Sequence, residues 1–399
     1  MLINRKDLLA QLTKQSLDSL TQTNVLWSEL HKTFVCVNAC DRKVVLPPFF
    51  NIIIIMSKKD ILKKWRTYFV DRGIKEETSS QYIEYIDSLL ENNVPIIFNF
   101  DHLCLLLGRT NEYLSSVVNS PESHYREFSI KKRKGGYRKI NAPYPALLEM
   151  QYWIYNNILK KISINSSAHG FVHKKSILTN SKIHLEQNHL LKLDLTDFFP
   201  SIEINRIIFI FKQLGYTSRV SFYLASICCY EESLPQGAPT SPVLSNIVSR
   251  KLDSRLIKFS KKFELKYTRY ADDLTFSGKR IPAKFIEYIS TIVSDEGFEV
   301  NHSKTRLYQS RSKRIVTGIS VLGKELKVPR EYKRKLKQEL HFIRKFGFES
   351  HVSKKKIRKH NYLFSITGKV NFWLSVEPKN QFALDSKDML DKYIKHYLQ

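Results

Sequence analysis

Three aspartates stand out in a chain that is otherwise strongly basic. Asp194 closes the apolar run Leu191-Lys192-Leu193-Asp194-Leu195, and Asp272-Asp273 fall between two β-rich runs, Lys266–Tyr270 and Leu274–Ser277. Neighbouring side chains of a strand point to opposite faces, so two adjacent acids that act together belong at a turn tip, where both approach one point. Three converging carboxylates repel one another unless cations sit among them. Mg²⁺ suits such a site, because it takes one or two protein carboxylates and fills its remaining positions with water and substrate phosphates. Two such ions roughly 4 Å apart can clamp the attacking and leaving oxygens of phosphoryl transfer. Taken alone, Asp272-Asp273 reads equally well as an acid-rich hairpin turn.

The elements that must hold these acids read as mixed α+β. Apolar spacing over residues 60–115 is helical, with Ile61, Leu62, Trp65 and Phe69 on one stripe and Ile83, Ile86, Leu89 and Leu90 on another. Tyr125–Ile130 and Tyr137–Asn141 are strand-like runs joined by Lys131-Lys132-Arg133-Lys134-Gly135-Gly136, a hairpin signal. A helix is expected from Pro145 through Leu159, and further strands at 189–195 and 267–277. No GxGxxG, P-loop or long repeat appears. From Arg330 to Phe346, basic residues alternate with Leu336, Leu340, Phe342 and Ile343, the pattern of an amphipathic helix with a cationic outer face. Residues 1–55 differ, with a weak helical pattern, Pro47-Pro48 and the run Ile52–Ile55. Met56-Ser57-Lys58-Lys59-Asp60 has the look of a chain start, the plainer alternative being an N-terminal extension. Cys36 and Cys40 have no second pair nearby, which speaks against zinc.

The bulk properties narrow the class. The chain has 399 residues, 42% of them hydrophobic and 12% aromatic, which excludes disordered and fibrous proteins. No apolar run approaches the ~18 residues of a membrane span, Arg5, Lys6 and Asp7 interrupt any signal peptide, and five cysteines form no disulfide framework. A reducing, cytoplasmic setting without membrane attachment is expected. The formal net charge is +27, and residues 301–360 hold 19 Lys or Arg against 4 acids. Charge concentrated in this way suits a surface that grips a nucleic-acid backbone better than a general solubility coat.

Tyr270-Ala271-Asp272-Asp273, Leu193-Asp194-Leu195-Thr196-Asp197-Phe198-Phe199 and Leu234-Pro235-Gln236-Gly237-Ala238-Pro239-Thr240-Ser241-Pro242 occur in one order across residues 125–320. With these three motifs the chain resembles a reverse transcriptase. The resemblance implies a right-hand polymerase: an N-terminal helical region over 56–115, fingers and a palm with an antiparallel sheet over 116–320, and a basic helical thumb over 321–399. It also implies that Asp194, Asp272 and Asp273 hold two Mg²⁺ ions and that dNTPs are the substrates. Phe199 matches the family's aromatic steric gate, the alternative being a core aromatic. Gln236 and Gly237 match the loop on the incoming nucleotide, and Arg138 the triphosphate-binding arginine. Lys304 matches the lysine proposed to protonate pyrophosphate, although in so basic a stretch it reads equally as a phosphate contact.

Asn180-Ser181-Lys182-Ile183-His184 is similar to the retron NAxxH motif, with Ser181 in place of Ala, and Val316-Thr317-Gly318 to the retron VTG motif. Ala168-His169-Gly170-Phe171-Val172 and Gly368-Lys369-Val370-Asn371-Phe372 also read like retron enzymes. The resemblance then implies a cognate structured noncoding RNA as partner, an RNA/DNA hybrid, priming from a guanosine 2′-OH to give branched RNA-linked DNA (msDNA), and antiphage defence with an effector protein encoded nearby. Asn180, His184, Val316, Thr317, Gly318, Lys354, Lys355 and Lys356 are the expected RNA-binding residues. The alternatives are another bacterial class (stand-alone defence, diversity-generating or group II intron-like) and a catalytically idle RNA-binding scaffold.

Overall fold

The computed structural model describes residues 57–132, 135–309, 312–358 and 361–398. The expectations for Met56, Cys36, Cys40 and the leader lie outside these residues. The chain divides into two units, one of residues 57–123 with Ile208–Ile227 and one of residues 124–207 with 228–398.

The first unit is helical. Ser57 starts α1 (Lys58–Asp71) by accepting from the Asp60 amide, and Asn99 and Thr110 cap α3 (Phe100–Leu107) and α4 (Asn111–Asn119) in the same way, each satisfying an amide that a helix start leaves unpaired. α1 and α2 (Glu76–Glu91) bury Phe69, Ile83 and Ile86, with Trp65 packed against them.

The second unit carries the acids. β1 (Tyr125–Lys131) and β2 (Tyr137–Pro143) pair antiparallel with Tyr125 opposite Pro143, as the flanking β-rich runs and Gly135-Gly136 predict. α5 (Pro145–Asn157) begins on Pro145, where the missing amide costs nothing. A four-stranded antiparallel sheet follows in the order β4-β5-β3-β6, from β3 (His189–Asp194), β4 (Lys266–Tyr270), β5 (Asp273–Gly278) and β6 (Arg306–Tyr308). Both faces of β3 are covered, which explains its nearly continuous apolar run. Leu190 packs with Val316 and Val321, and Leu191 and Leu193 on the opposite face are also buried. Along β4 and β5 a ladder of rings ties the sheet to helices: Tyr267 stacks on Phe276, Phe276 meets Phe285, and Phe285 stacks on Phe259. Phe259 lies on α10 (Arg250–Lys261) and Phe285 on α11 (Phe285–Asp295).

Beyond the sheet, β7 (Ile315–Val316) and β8 (Ile319–Ser320) form a short hairpin whose two turn residues both have positive φ, Thr317 at 43° and Gly318 at 84°. Two-residue hairpin turns of this type need positive φ at both positions, and Gly318 meets that demand without strain. The predicted amphipathic helix is α12 (Arg330–Phe346), which buries Leu336, Leu340 and Ile343 against α14 (Tyr362–Val376) and α15 (Gln381–Leu398). Among the described residues no helix is long and apolar enough to cross a membrane.

Candidate active site

Strand register brings the acids together. β3 and β5 pair so that Asp194 stands directly opposite Asp273, while β4 and β5 pair Tyr270 with Asp273, leaving Ala271-Asp272 as a two-residue turn. Ala271 takes a positive φ of 55° at that corner. The Leu195 amide donates to the Asp272 carbonyl at 3.0 Å, so the end of β3 is laced to the turn. The Asn301 amide donates to the Asp194 carbonyl at 2.8 Å and starts the turn that delivers Lys304, whose Nζ donates to Asp194 Oδ1 at 2.5 Å. Burial, then the charges of Asp273 and Asp194, push the Asp272 carboxyl up to about 6. Burial also raises Asp273 above the ordinary carboxylate range. The Lys304 ammonium is raised chiefly by its hydrogen bond to Asp194. Of the four residues expected here, all four meet at one end of the sheet.

The turn is held from behind by residues that the sequence reading passed over. Arg269, fully buried on β4, donates from Nε and Nη2 to the two oxygens of Asp253 on α10 at 2.8 and 2.7 Å, and Tyr267 donates to Asp253 Oδ1 at 2.8 Å. Its remaining nitrogen, Nη1, donates to the Ala271 carbonyl at 3.2 Å, at the strained corner itself. A second support comes from residues 167–170. The Arg269 amide donates to Ser167 O and the His169 amide to Arg269 O. A Cβ on Gly170 would stand 2.6 Å from the Ala271 nitrogen, so only glycine allows this approach. The signal was present in α10: Asp253 lies on the same helical stripe as Leu256 and Ser260, and an acid on a buried stripe requires a cationic partner.

At the Gln236 loop, the Asn141 amide at the end of β2 donates to the Gln236 carbonyl at 2.8 Å. Gly237 follows with φ 139°, and a Cβ there would stand 2.6 Å from the Asn141 carbonyl oxygen. The Gln236-Gly237 loop is therefore fixed to the strand that also carries Arg138, which is exposed. Phe199 is half-buried, with the buried Phe198 ring 5.4 Å away on one side.

Residues 130–363 match the family described as reverse transcriptase (RNA-dependent DNA polymerase). The chain belongs to that family. It is 32% identical over 307 residues to the retron Ec86 reverse transcriptase of Escherichia coli, an alignment covering 75% of this chain and 92% of that protein. It is 34% identical over 254 residues to the retron Mx162 reverse transcriptase of Myxococcus xanthus, covering 55% of this chain and 52% of that one. A solved structure of telomerase from Candida albicans covers 67% of this chain and 63% of its own at 11% identity and a TM-score of 0.38. On the family match and the retron relatives, the protein is an RNA-directed DNA polymerase of the bacterial retron group, and its α+β architecture is the family's polymerase fold.

Within this reverse transcriptase the expected RNA contacts divide. Asn180, His184 and Val316 are fully buried, so their side chains lie inside the fold rather than on its surface. Ser176 opens α6 (Ile177–Lys182) with a reciprocal cap to Thr179, and the helix then packs its polar residues inward. Ser181 Oγ donates to the Val316 carbonyl at 2.9 Å and lies 3.1 Å from Thr317 Oγ1, which itself donates to the Ile177 carbonyl. His184 bridges the hydroxyls of Ser277 at 2.6 Å and Thr268 at 2.7 Å, and burial pushes its imidazole down to about 3. The NAxxH-like and VTG-like segments therefore clasp each other. Gly318 at the turn tip and Lys354, Lys355 and Lys356 are exposed.

Reverse transcriptases use divalent metal ions. Among the described residues, no three His, Cys, Asp or Glu side chains close into a ready-made cage. Mg²⁺ does not call for one, since it is held by one or two carboxylates with substrate phosphates and water. Asp272 and Asp273, half-buried beside one another and raised chiefly by that loss of solvent, are hard oxygen donors that a cation would relieve, and they fit the group.

Proposed function

We propose that this reverse transcriptase catalyses two-metal nucleotidyl transfer at the corner formed by Asp194, Asp272 and Asp273, copying its own structured noncoding RNA into DNA. The observation that carries this reading is the register that sets Asp194 opposite Asp273 with Asp272 on the adjoining turn. Mg²⁺ bound by these carboxylates would supply Lewis-acid stabilisation of charge on the transferring phosphate. Lys304, kept protonated by Asp194, has the proton that departing pyrophosphate needs. Arg138 on β2 offers a guanidinium to the triphosphate, which suits the planar fork of that group. Gln236 and Gly237, pinned to Asn141, present loop backbone to the incoming nucleotide, and Phe199 excludes a ribose 2′-OH.

By the same reading, synthesis starts from a 2′-OH in the cognate RNA and yields branched msDNA, and the complex serves antiphage defence through an effector protein encoded nearby. The half-buried Thr317, the exposed Gly318 and Lys354, Lys355 and Lys356 are the RNA contacts of this proposal, with Asn180, His184 and Val316 acting by holding the tip in place. Nucleic acid copurifying with the protein tests it. Sequencing before and after debranching should return a DNA joined 2′–5′ to an RNA encoded beside the gene. Linear cDNA of unrelated transcripts would favour another class of bacterial reverse transcriptase instead.

A further inference from the structure

Phe171 combines features that the scaffold does not require. It has a positive φ of 60°, a conformation that a bulky residue adopts only when its surroundings impose it. The surroundings are plain. Gly170 is pressed against the Ala271 nitrogen of the aspartate turn, and Asn246 of α9 (Ser241–Val248), the helix that follows the Gln236 loop, donates from Nδ2 to the Gly170 carbonyl at 2.9 Å. His169 is tied to Arg269 by a 2.7 Å backbone hydrogen bond. Residues 169–170 are thus fixed to the acidic corner and to the nucleotide-loop helix, and Phe171 emerges from this clamp. Its ring is nevertheless 50% exposed. What it faces is Phe199, with ring centroids 6.3 Å apart and planes inclined by 51°, a favourable tilted aromatic pair. A large apolar ring kept in a strained backbone and left half in solvent is not core packing.

We infer that Phe171 is a positioning residue for sugar selection: its ring fixes the orientation of Phe199, so that discrimination against ribonucleotides is set by a pair of rings rather than by one. The inference rests on the reading of Phe199 as the gate and deepens it. Phe199 also meets Phe198, at 5.4 Å, and Phe198 is anchored by its contact with Phe298 at 5.6 Å. Without Phe171 the gate ring keeps one wall and gains room to swing aside when a 2′-OH enters.

The test measures the ratio of dNTP to rNTP incorporation in primer extension by Phe199→Ala, Phe171→Ala, Phe171→Gly, Phe171→Tyr and the double alanine variant. Phe199→Ala should lose most of the discrimination. Phe171→Ala should lose about two- to tenfold, the factor that corresponds to losing one aromatic pair. Phe171→Gly relieves the strained φ yet also lacks the ring, so it should match Phe171→Ala, whereas Phe171→Tyr should restore the ratio. The double variant should discriminate no worse than Phe199→Ala, because Phe171 acts through Phe199. A relaxed Phe199→Ala beside an unchanged Phe171→Ala overturns this inference and leaves the gate reading standing. An unchanged ratio in Phe199→Ala overturns both. Additive losses in the double variant overturn the action through Phe199 and place Phe171 on the sugar directly.

Discussion

Two groups of carboxylates in the second unit are withdrawn from water, with opposite outcomes. Asp253 is fully buried, but both of its oxygens are paired with Arg269 and one also accepts from Tyr267. Asp272 and Asp273 are half-buried with no such partner of their own, and they are raised by that burial. Of these three acids Asp194 is the one in an ion pair, with the solvent-exposed Lys304, while Lys192 and Lys304 act on Asp273 only through their charge. A carboxylate whose partners are built in serves the fold; one buried without them has its charge held available for something that arrives. Arg269, the partner of Asp253, lies a few residues before the unpaired acids along β4 and its turn, and it braces them through the Ala271 carbonyl.

Mutating each group should separate activity from stability. Asp272→Asn with Asp273→Asn should cost at least on the order of 10³-fold in DNA synthesis, because the charge that stabilises transfer is no longer held. The same variant, unfolded by denaturant in EDTA, should be at least as stable as the parent, since mutual repulsion is relieved. Retained synthesis in Mg²⁺ would remove the active-site assignment. Asp253→Asn should do the reverse. It leaves the Arg269 guanidinium buried and unpaired, a loss of about 3–5 kcal/mol in unfolding free energy. A stability change near zero would mean that the brace is dispensable.

A smaller effect concerns the buried clasp. His184 has a folded pKa of about 3, below its ordinary 6.5. Above pH 6.5 both states are neutral and stability is full. As pH falls from 6.5 towards 3, the unfolded chain takes up a proton that the folded chain refuses, so stability declines by ~1.4 kcal/mol per pH unit from this group. His184→Gln should shrink the difference in stability between pH 7 and pH 5 by ~2 kcal/mol; an unchanged difference would mean that other groups carry the acid sensitivity. The gentlest change is at the exposed lysines. Replacing Lys354, Lys355 and Lys356 with alanine should weaken cognate and unrelated RNA alike and flatten the dependence of log K on log salt by about 2–3. A loss confined to cognate RNA would make these lysines readers of structure rather than phosphate contacts.

How much of this was legible beforehand follows from what local sequence encodes. The β1–β2 hairpin and the span of α12 are local matters of turn residues and periodicity, and both were read from the chain directly. Asp272-Asp273 announced a turn because side chains in a strand cannot share a face with their neighbours, but the turn is Ala271-Asp272 and Asp273 already opens β5, paired with Asp194 and Tyr270. The Asp253–Arg269 pair was not read, because it depends on which helix lies against which strand. The burial of Asn180 and His184 was not legible for a different reason. An amide and an imidazole hydrogen-bond as readily to Thr317, Ser277 and Thr268 as to an RNA, and only burial, a property of the whole fold, decides between them.

The central position of β3 in the sheet has a consequence for how the protein comes into being. Asp194 leaves the ribosome long before the strands that flank it, and Lys304, which pairs with it, follows 110 residues later. Contacts this distant in sequence close slowly, since the chain must surrender loop entropy before any of them forms. No growing chain shorter than Lys304 can complete the pair with Asp194, so the proposed site is finished late. A ribosome that halts early releases a fragment without polymerase activity, however much of its charge is already there to bind RNA.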